Sequence, residues 1–461
     1  MRGCTVKPLP IKMTERLKMT NARRDGLYLL LLGSLVFLLL GTVLARTAPA
    51  AMVDFKVLYY PARCLLQHGD PYNENEVQST AHAPGEAPPW DTLKVRQVVT
   101  QYLYPPTAFS FTVPFAMLPW GPAHILWIVL TIGSLVLASF LIWSLGADYA
   151  PIISGVLVGF LLANSELLVI TGNAAGIAIS LCIVAVWCFV RERLVLVGIL
   201  CLAISLALKP HDSGMVWLYF LLAGKVHRKR ALQTLLATTV LILPPVLWVW
   251  HVAPDWMREL NSNLAAFSVH GGMNDPGIAS SGAHGLGMLV SLQAVIGLFW
   301  DDPRIYNTAS YLLFAPLLLI WAFVALRSRP SRKRVWLAIA AIAALSLLPV
   351  YHRQQDTKLL LLTVPACGML WSEGGTIGWL ALLLNSAGFI LTGDLPWTVV
   401  LGLIRNLHMP TTGMSGQIAM AAQVFPIPLA MLALGIFYLW MYVRCYFTSD
   451  PVALQRGQAG G

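Results

Sequence analysis

Apolar runs, most of them free of charge, succeed one another from Leu27 to Phe447, and basic residues fall in short clusters between them. Of the 461 residues, 57% are hydrophobic and only 11% charged. A soluble domain carries far more charge on its surface. A bilayer core of roughly 30 Å takes about 20 apolar residues per helix, and Leu27–Ala45 alone meets that length. The segment is too long for a signal-peptide core and further apolar segments follow it, so it reads as a retained first helix. The net charge of +10 suits the positive-inside rule better than a nucleic-acid partner, because the basic residues occupy inter-helix positions. The seven cysteines are scattered, with no paired CxxC, and imply neither a disulfide framework nor a thiolate metal site.

The basic clusters set the expected topology. They run from Lys7 to Arg24, then Arg191 to Arg193, Lys225 to Arg230, Arg327 to Arg334, and Arg444. With all of them in the cytoplasm, the pattern predicts about 12 full crossings and both termini inside. Two segments, Pro105–Trp120 and Gly285–Trp300, read as re-entrant or interfacial, the first because four prolines break it. The expectation is an all-α polytopic membrane protein. It has a basic cytoplasmic segment (1–26), one membrane domain (27–446), outer loops near 47–104, 251–284 and 393–422, and a cytoplasmic tail (447–461). Ala81 to Pro89 reads as a flexible insertion.

Asp54, Tyr104-Pro105-Pro106, Asn173, Lys209-Pro210-His211 and Tyr351-His352-Arg353 all fall on the same outer face. Asp54 lies just beyond the first helix, in a segment that reads as a short amphipathic helix on the membrane surface. Its carboxylate suits a helix N-cap and equally a general base where lipid and water meet. Lys209 reads as a snorkelling lysine or, with His211, as a phosphate contact. Tyr351 to Asp356 is an unusually polar connection. Arg353 and His352 are able to clamp a phosphate, and Asp356 is able to cap the following helix. Gly172-Asn173 interrupts an apolar run, either opening backbone toward a cavity or allowing close packing. Asp301-Asp302 before Pro303 reads as a capping turn. No P-loop, zinc-protease or nucleophile-elbow motif occurs.

These pieces together resemble glycosyltransferase family 87, which includes polyprenol-phosphate-mannose-dependent α-mannosyltransferases. The resembling segments are DFKVLYYPARCLLQHGDPY, YLYPPTAFSFTVPFAMLPWGPAHILW, the Thr171-Gly172-Asn173 break, LALKP, and LSLLPVYHRQQDTKLLLLTVPA, in family order from Asp54 to about Pro365. The break departs from the family, whose pattern more often carries a glutamine. The resemblance implies a GT-C-type helical bundle with an extracytoplasmic site. It implies a polyprenyl-phosphate sugar donor, a glycolipid or glycan acceptor, and inversion at the anomeric carbon. It makes Asp54 the catalytic base and Lys209 and His352 donor-phosphate contacts. His211 and Arg353 join that phosphate group, while Tyr104, Asn173 and Asp356 are expected to contact substrate. No cofactor and no metal are expected. The rival class is a lipid or lipid-linked-sugar flippase, which calls for repeat halves and midplane charges. With no organelle-targeting pattern, a bacterial inner membrane is the expected location.

Overall fold

The computed structural model describes residues 13–47, 51–82, 98–272, 274–277, 289–329, 331–405, 416, 421 and 425–448. The insertion at Ala81 to Pro89, the start of the second half-inserted segment and much of the third outer loop lie largely or wholly outside the described residues. Among those described, the chain is helical throughout, and the only strand-like pairing is an isolated bridge between Leu289 and Arg353.

The amino-terminal part holds α1 (Met13–Thr47), α2 (Val53–Leu66), α3 (Glu74–Ala81), a 3-10 turn at Pro106–Ala108, α4 (Phe109–Ala116) and α5 (Trp120–Gly146). The middle follows with α6 (Pro151–Ala163), α7 (Leu167–Thr171), α8 (Ala175–Arg191), α9 (Val195–Leu208), α10 (Pro210–Leu222), α11 (Lys225–Val252) and α12 (Trp256–Ser268). The remainder comprises α13 (Leu292–Gly297), α14 (Pro303–Arg327), α15 (Arg332–Leu345), a 3-10 segment (Gln354–Thr363), α16 (Val364–Glu373), α17 (Gly375–Thr392), α18 (Asp394–Arg405) and α19 (Pro426–Thr448).

Seven stretches are long and apolar enough to cross a membrane: α1 from Thr20, α5, α6 with α7, α11, α14, α17 and α19. The other five expected crossings fall on α8, α9, α10, α15 and the 3-10 segment with α16. A 13-residue helix such as α10 rises only about 20 Å, short of the roughly 30 Å hydrocarbon layer, so the count of 12 full crossings is not established. Of these shorter elements, α8 and α15 are interior, while α9 turns Leu196 (70% exposed) and Leu200 outward. In α15, every residue from Arg334 to Leu345 is buried. The long helices also carry an outward apolar face, as at Leu312 and Leu319 of α14.

Small residues let α1 and α6 run side by side. A Cβ at Gly26 would lie 2.3 Å from the Pro151 carbonyl oxygen, and one at Gly33 would lie 2.2 Å from that of Gly159. Close backbone approach through small residues replaces the hydrophobic drive that lipid abolishes.

Two features differ from expectation. Helix α2 does not lie open on a surface. Nine of its residues are buried, because Phe55 stacks on Trp127 (centroids 4.4 Å apart) and Tyr60 on Trp120 (5.9 Å). The apolar run after Asp356 is not α-helical from its start. Ten residues form a 3-10 segment, far longer than the usual three or four. Lys358 pins it, its buried ammonium donating to the carbonyls of Asn164 and Thr392 (both 2.9 Å) and to Asp394 Oδ1 (3.1 Å). Asp394 in turn accepts from the Leu167 amide at the start of α7 (2.7 Å). One ionic knot therefore ties the two halves of the bundle behind the cavity described next.

Candidate functional site

A cavity of about 430 Å³ opens among α2, the 102–105 segment, the α9–α10 junction, α12 and the Val350–Asp356 connection. Asp54, Tyr104, Asn173, Lys209, His211, Arg353 and Asp356 line it. Seven of the eight residues singled out in the sequence thus meet at one place. His352 does not line the cavity. It is fully buried behind the wall.

Asp54 is not a cap. The N-cap position of α2 belongs to Met52, which makes no side-chain cap bond, and Asp54 stands in the first helical turn. Its partner is the Gly172-Asn173 break. Gly172 ends α7 at φ +68°, a left-handed conformation costing other residues roughly 1–2 kcal/mol. Asn173 Oδ1 then accepts from the Ala175 amide at 2.8 Å, which leaves Nδ2 to donate to Asp54 Oδ2 at 2.7 Å. The same break anchors α2, since the Met52 amide donates to the Ile170 carbonyl at 2.7 Å and the Trp127 indole donates to the Gly172 carbonyl at 2.9 Å. A Cβ on Gly172 would lie 2.8 Å from Phe55 Cβ. Gly172→Ala is therefore expected to lower Tm measured by thermal melting in detergent and to weaken any activity that depends on Asp54, whose chain neighbour must shift. An unchanged melt with unchanged activity would mean that the break tolerates the added carbon.

Lys209 ends α9 because Pro210 follows, and a residue before proline is driven from helical to extended backbone. Its ammonium donates to Asp356 Oδ1 at 2.5 Å and stands 3.5 Å from Asp212 Oδ2. Burial alone would raise the Asp356 carboxyl, but the Lys209 ammonium overrides it and holds Asp356 well below the usual carboxylate range. Asp212, equally buried and facing the Asp356 charge, is instead pushed above the usual carboxylate range. Asp356 Oδ2 accepts from the Arg353 amide at 2.9 Å, so it also caps its own segment. The Arg353 guanidinium donates to the Tyr351 hydroxyl and to Asn274 Oδ1 (3.1 Å).

His352 places Nδ1 3.1 Å from the Val350 carbonyl and Nε2 3.8 Å from Asp212 Oδ1. Burial pushes its imidazole below the usual range. His211 packs against it edge to face, with ring centroids 5.1 Å apart.

Asp212 is the buried participant that does not stand among the sequence candidates. Its one signal was adjacency to Lys209-Pro210-His211. Phe267 of α12 and Asn274 beyond that helix also reach the cavity, and no local pattern marks them. Asp302 does cap α14, accepting from the Arg304 amide at 2.8 Å.

Residues 102–350 match the profile of glycosyltransferase family 87. No curated protein and no solved structure matches the chain. The matched span contains Tyr104, Asn173, Lys209 and His211 but neither Asp54 nor the His352-to-Asp356 group.

Proposed function

From the premise that this chain belongs to glycosyltransferase family 87 and is a membrane glycosyltransferase, we propose that it moves a hexose, mannose by resemblance, from a polyprenyl phosphate to a lipid or glycan acceptor. The reaction takes place on the extracytoplasmic face of a bacterial inner membrane and inverts the anomeric carbon. The observation that carries the proposal is one cavity with a carboxylate held by an amide, Asp54 on Asn173, and cationic groups, Lys209 and Arg353, within the same walls. Its volume lies in the range of about 300–1,000 Å³ usual for small-molecule sites. Val57, Leu208, Leu264 and Phe267 supply apolar walls for the first units of a prenyl chain.

The chemistry follows from those groups. Asp54 takes the proton of an acceptor hydroxyl as its oxygen bonds to the anomeric carbon. The bond from that carbon to the phosphate oxygen breaks, and the electron pair leaves with the polyprenyl phosphate. Phosphate is already a good leaving group, so one carboxylate suffices, as in the base half of an inverting glycosidase. Arg353 holds the phosphate in this reading, with Lys209 and His211 adding positive charge or a donor where charge builds. Tyr104 and Asp356 contact the sugar. His352 acts from behind the wall.

Asn173 is a positioning residue. Asn173→Ala is expected to lower kcat by roughly 10- to 100-fold, the worth of a hydrogen bond to a charged group, with KM for the donor nearly unchanged. A rise in KM alone would make it a binding residue instead.

The proposal is tested with full-length protein reconstituted in vesicles and given radiolabelled polyprenyl-phosphate-mannose and a panel of mannosylated acceptors. Label transferred to an acceptor supports it. Labelled donor that crosses the bilayer with no transfer supports the flippase alternative.

A further inference from the structure

His211, Asp212, His352 and Asp356 offer ligand atoms that all lie within 4.8 Å of one another. Two of the four, His211 and Asp356, also line the cavity. The group is not an ordinary hydrogen-bonded cluster. The Asp212 and His352 side chains are both 0% exposed, neither Asp212 carboxylate oxygen nor His352 Nε2 has a hydrogen-bond partner, and the Lys209 ammonium reaches Asp212 Oδ2 only at ion-pair distance, 3.5 Å. Leaving such atoms unpaired in the interior is costly.

The ring orientation of His352 sharpens the point. Nδ1 faces the Val350 carbonyl at 3.1 Å, an acceptor only, so the neutral ring carries its proton there. Nε2 then presents a lone pair to Asp212 Oδ1 at 3.8 Å, and His211 Nε2 lies 3.7 Å from the same oxygen. Lone pairs facing a carboxylate are repulsive unless a cation or a proton lies between them. Histidines that bind metal commonly donate their other ring N–H to a carbonyl in this way. Ligands on a tetrahedral zinc at 2.0–2.1 Å stand about 3.3 Å apart, so each histidine closes on Asp212 by about half an ångström and the widest pair in the group, within 4.8 Å, draws in further through side-chain rotation.

Charge points the same way. Among the lining residues Asp54 and Asp356 only balance Lys209 and Arg353, so the walls of the cavity offer no excess positive charge to an anion. A phosphate-linked donor is an anion, and its departing phosphate gains a further charge. A divalent ion among the four ligands turns the balance positive at that wall.

We propose that His211, Asp212, His352 and Asp356 bind a divalent transition-metal ion, with zinc fitting the two-imidazole, two-carboxylate set, against the wall that also presents Lys209. The consequence for phosphate rests on the glycosyltransferase reading, whereas metal binding does not. The ion supplies positive charge beside the leaving group, and Lys209 stays on the carboxylate oxygens that the metal does not take.

The test uses full-length protein in detergent, stripped with chelator, desalted, and dialysed against zinc or cobalt(II) alone. We expect about one equivalent bound per chain, with the visible absorption of tetrahedral cobalt in the wild type. Asp212→Asn and His352→Gln, checked for wild-type elution on size exclusion, should bind at least about 100-fold more weakly. His124→Ala, away from the cluster, should bind as the wild type does. Absence of both stoichiometric zinc and the cobalt band in the wild type overturns the proposal without reference to any variant. Equal binding by Asp212→Asn, His352→Gln and wild type overturns it as well, and shows surface capture or a protonated His352 paired with Asp212. Zinc bound without sugar transfer would leave the metal site standing and remove the function proposed above. Transfer without zinc binding would do the reverse.

Discussion

Asp54→Asn is expected to abolish sugar transfer, lowering kcat by roughly 100- to 10,000-fold, the range of general-base contributions, while leaving the protein folded. The replacement has the same shape, and its amide oxygen is able to accept from Asn173 Nδ2, which now donates to Asp54 at 2.7 Å. The anchors of α2 are backbone and aromatic ones that the change does not touch. Thermal melting should therefore match the wild type, and donor binding should persist. Full transfer by this variant would remove Asp54 as the base, and a collapsed melt would make it a structural residue.

Lys209→Ala is expected to act first on stability. The ammonium is the one cation within ion-pair reach of both the Asp356 and Asp212 carboxylates among the described residues, at 2.5 and 3.5 Å, and all three side chains are almost wholly buried. Breaking a buried pair by removing one partner typically costs about 3–5 kcal/mol. The loss should appear as a large fall in Tm for chelator-treated protein in detergent, where no metal can stand in for the lysine. The sequence alone suggests a different result, donor use weakened more than acceptor use, because it shows the lysine but not its partners. An unchanged melt with only donor KM raised would restore Lys209 as a free phosphate contact. The double variant Lys209→Met with Asp356→Asn should lose less than the sum of the single changes, because it removes both members of the closer pair.

The contrast between those two residues shows what a single chain discloses. Polar residues at the ends of apolar runs were legible because a bilayer makes them expensive anywhere else. That is why Asp54, Asn173, Lys209 and Arg353 stood out and why they meet in one cavity. Their pairings were not legible. Asp54 and Asn173 are 119 residues apart, and Lys209 and Asp356 are 147 apart. Nothing local distinguishes an N-cap aspartate from one in the first helical turn, since the difference is a shift of two residues along α2. The Gly172-Asn173 interruption was visible as a break, yet its use, an amide turned toward a carboxylate, depends on where α2 arrives. Asp212 was hidden by its neighbours. An acid after Lys-Pro-His reads as a helix-start residue, and only the fold shows that its carboxylate is buried without a hydrogen bond. The fold class followed from hydrophobicity. The number of crossings did not, because α8 and α9 are as apolar as a span but shorter than one, α10 and α15 are short as well and carry polar residues in their first turns, and periodicity does not tell the 3-10 segment at Gln354–Thr363 from an α-helix.

The most direct test of the account is the anomeric configuration of the product that purified protein forms from a β-linked polyprenyl-phosphate sugar. Displacement in one step, with Asp54 as the sole base and phosphate leaving from the opposite face, predicts an exclusively α-linked product. Transfer that retains the β configuration would require a covalent intermediate on a second nucleophile, and would contradict the assignment of this cavity and of Asp54.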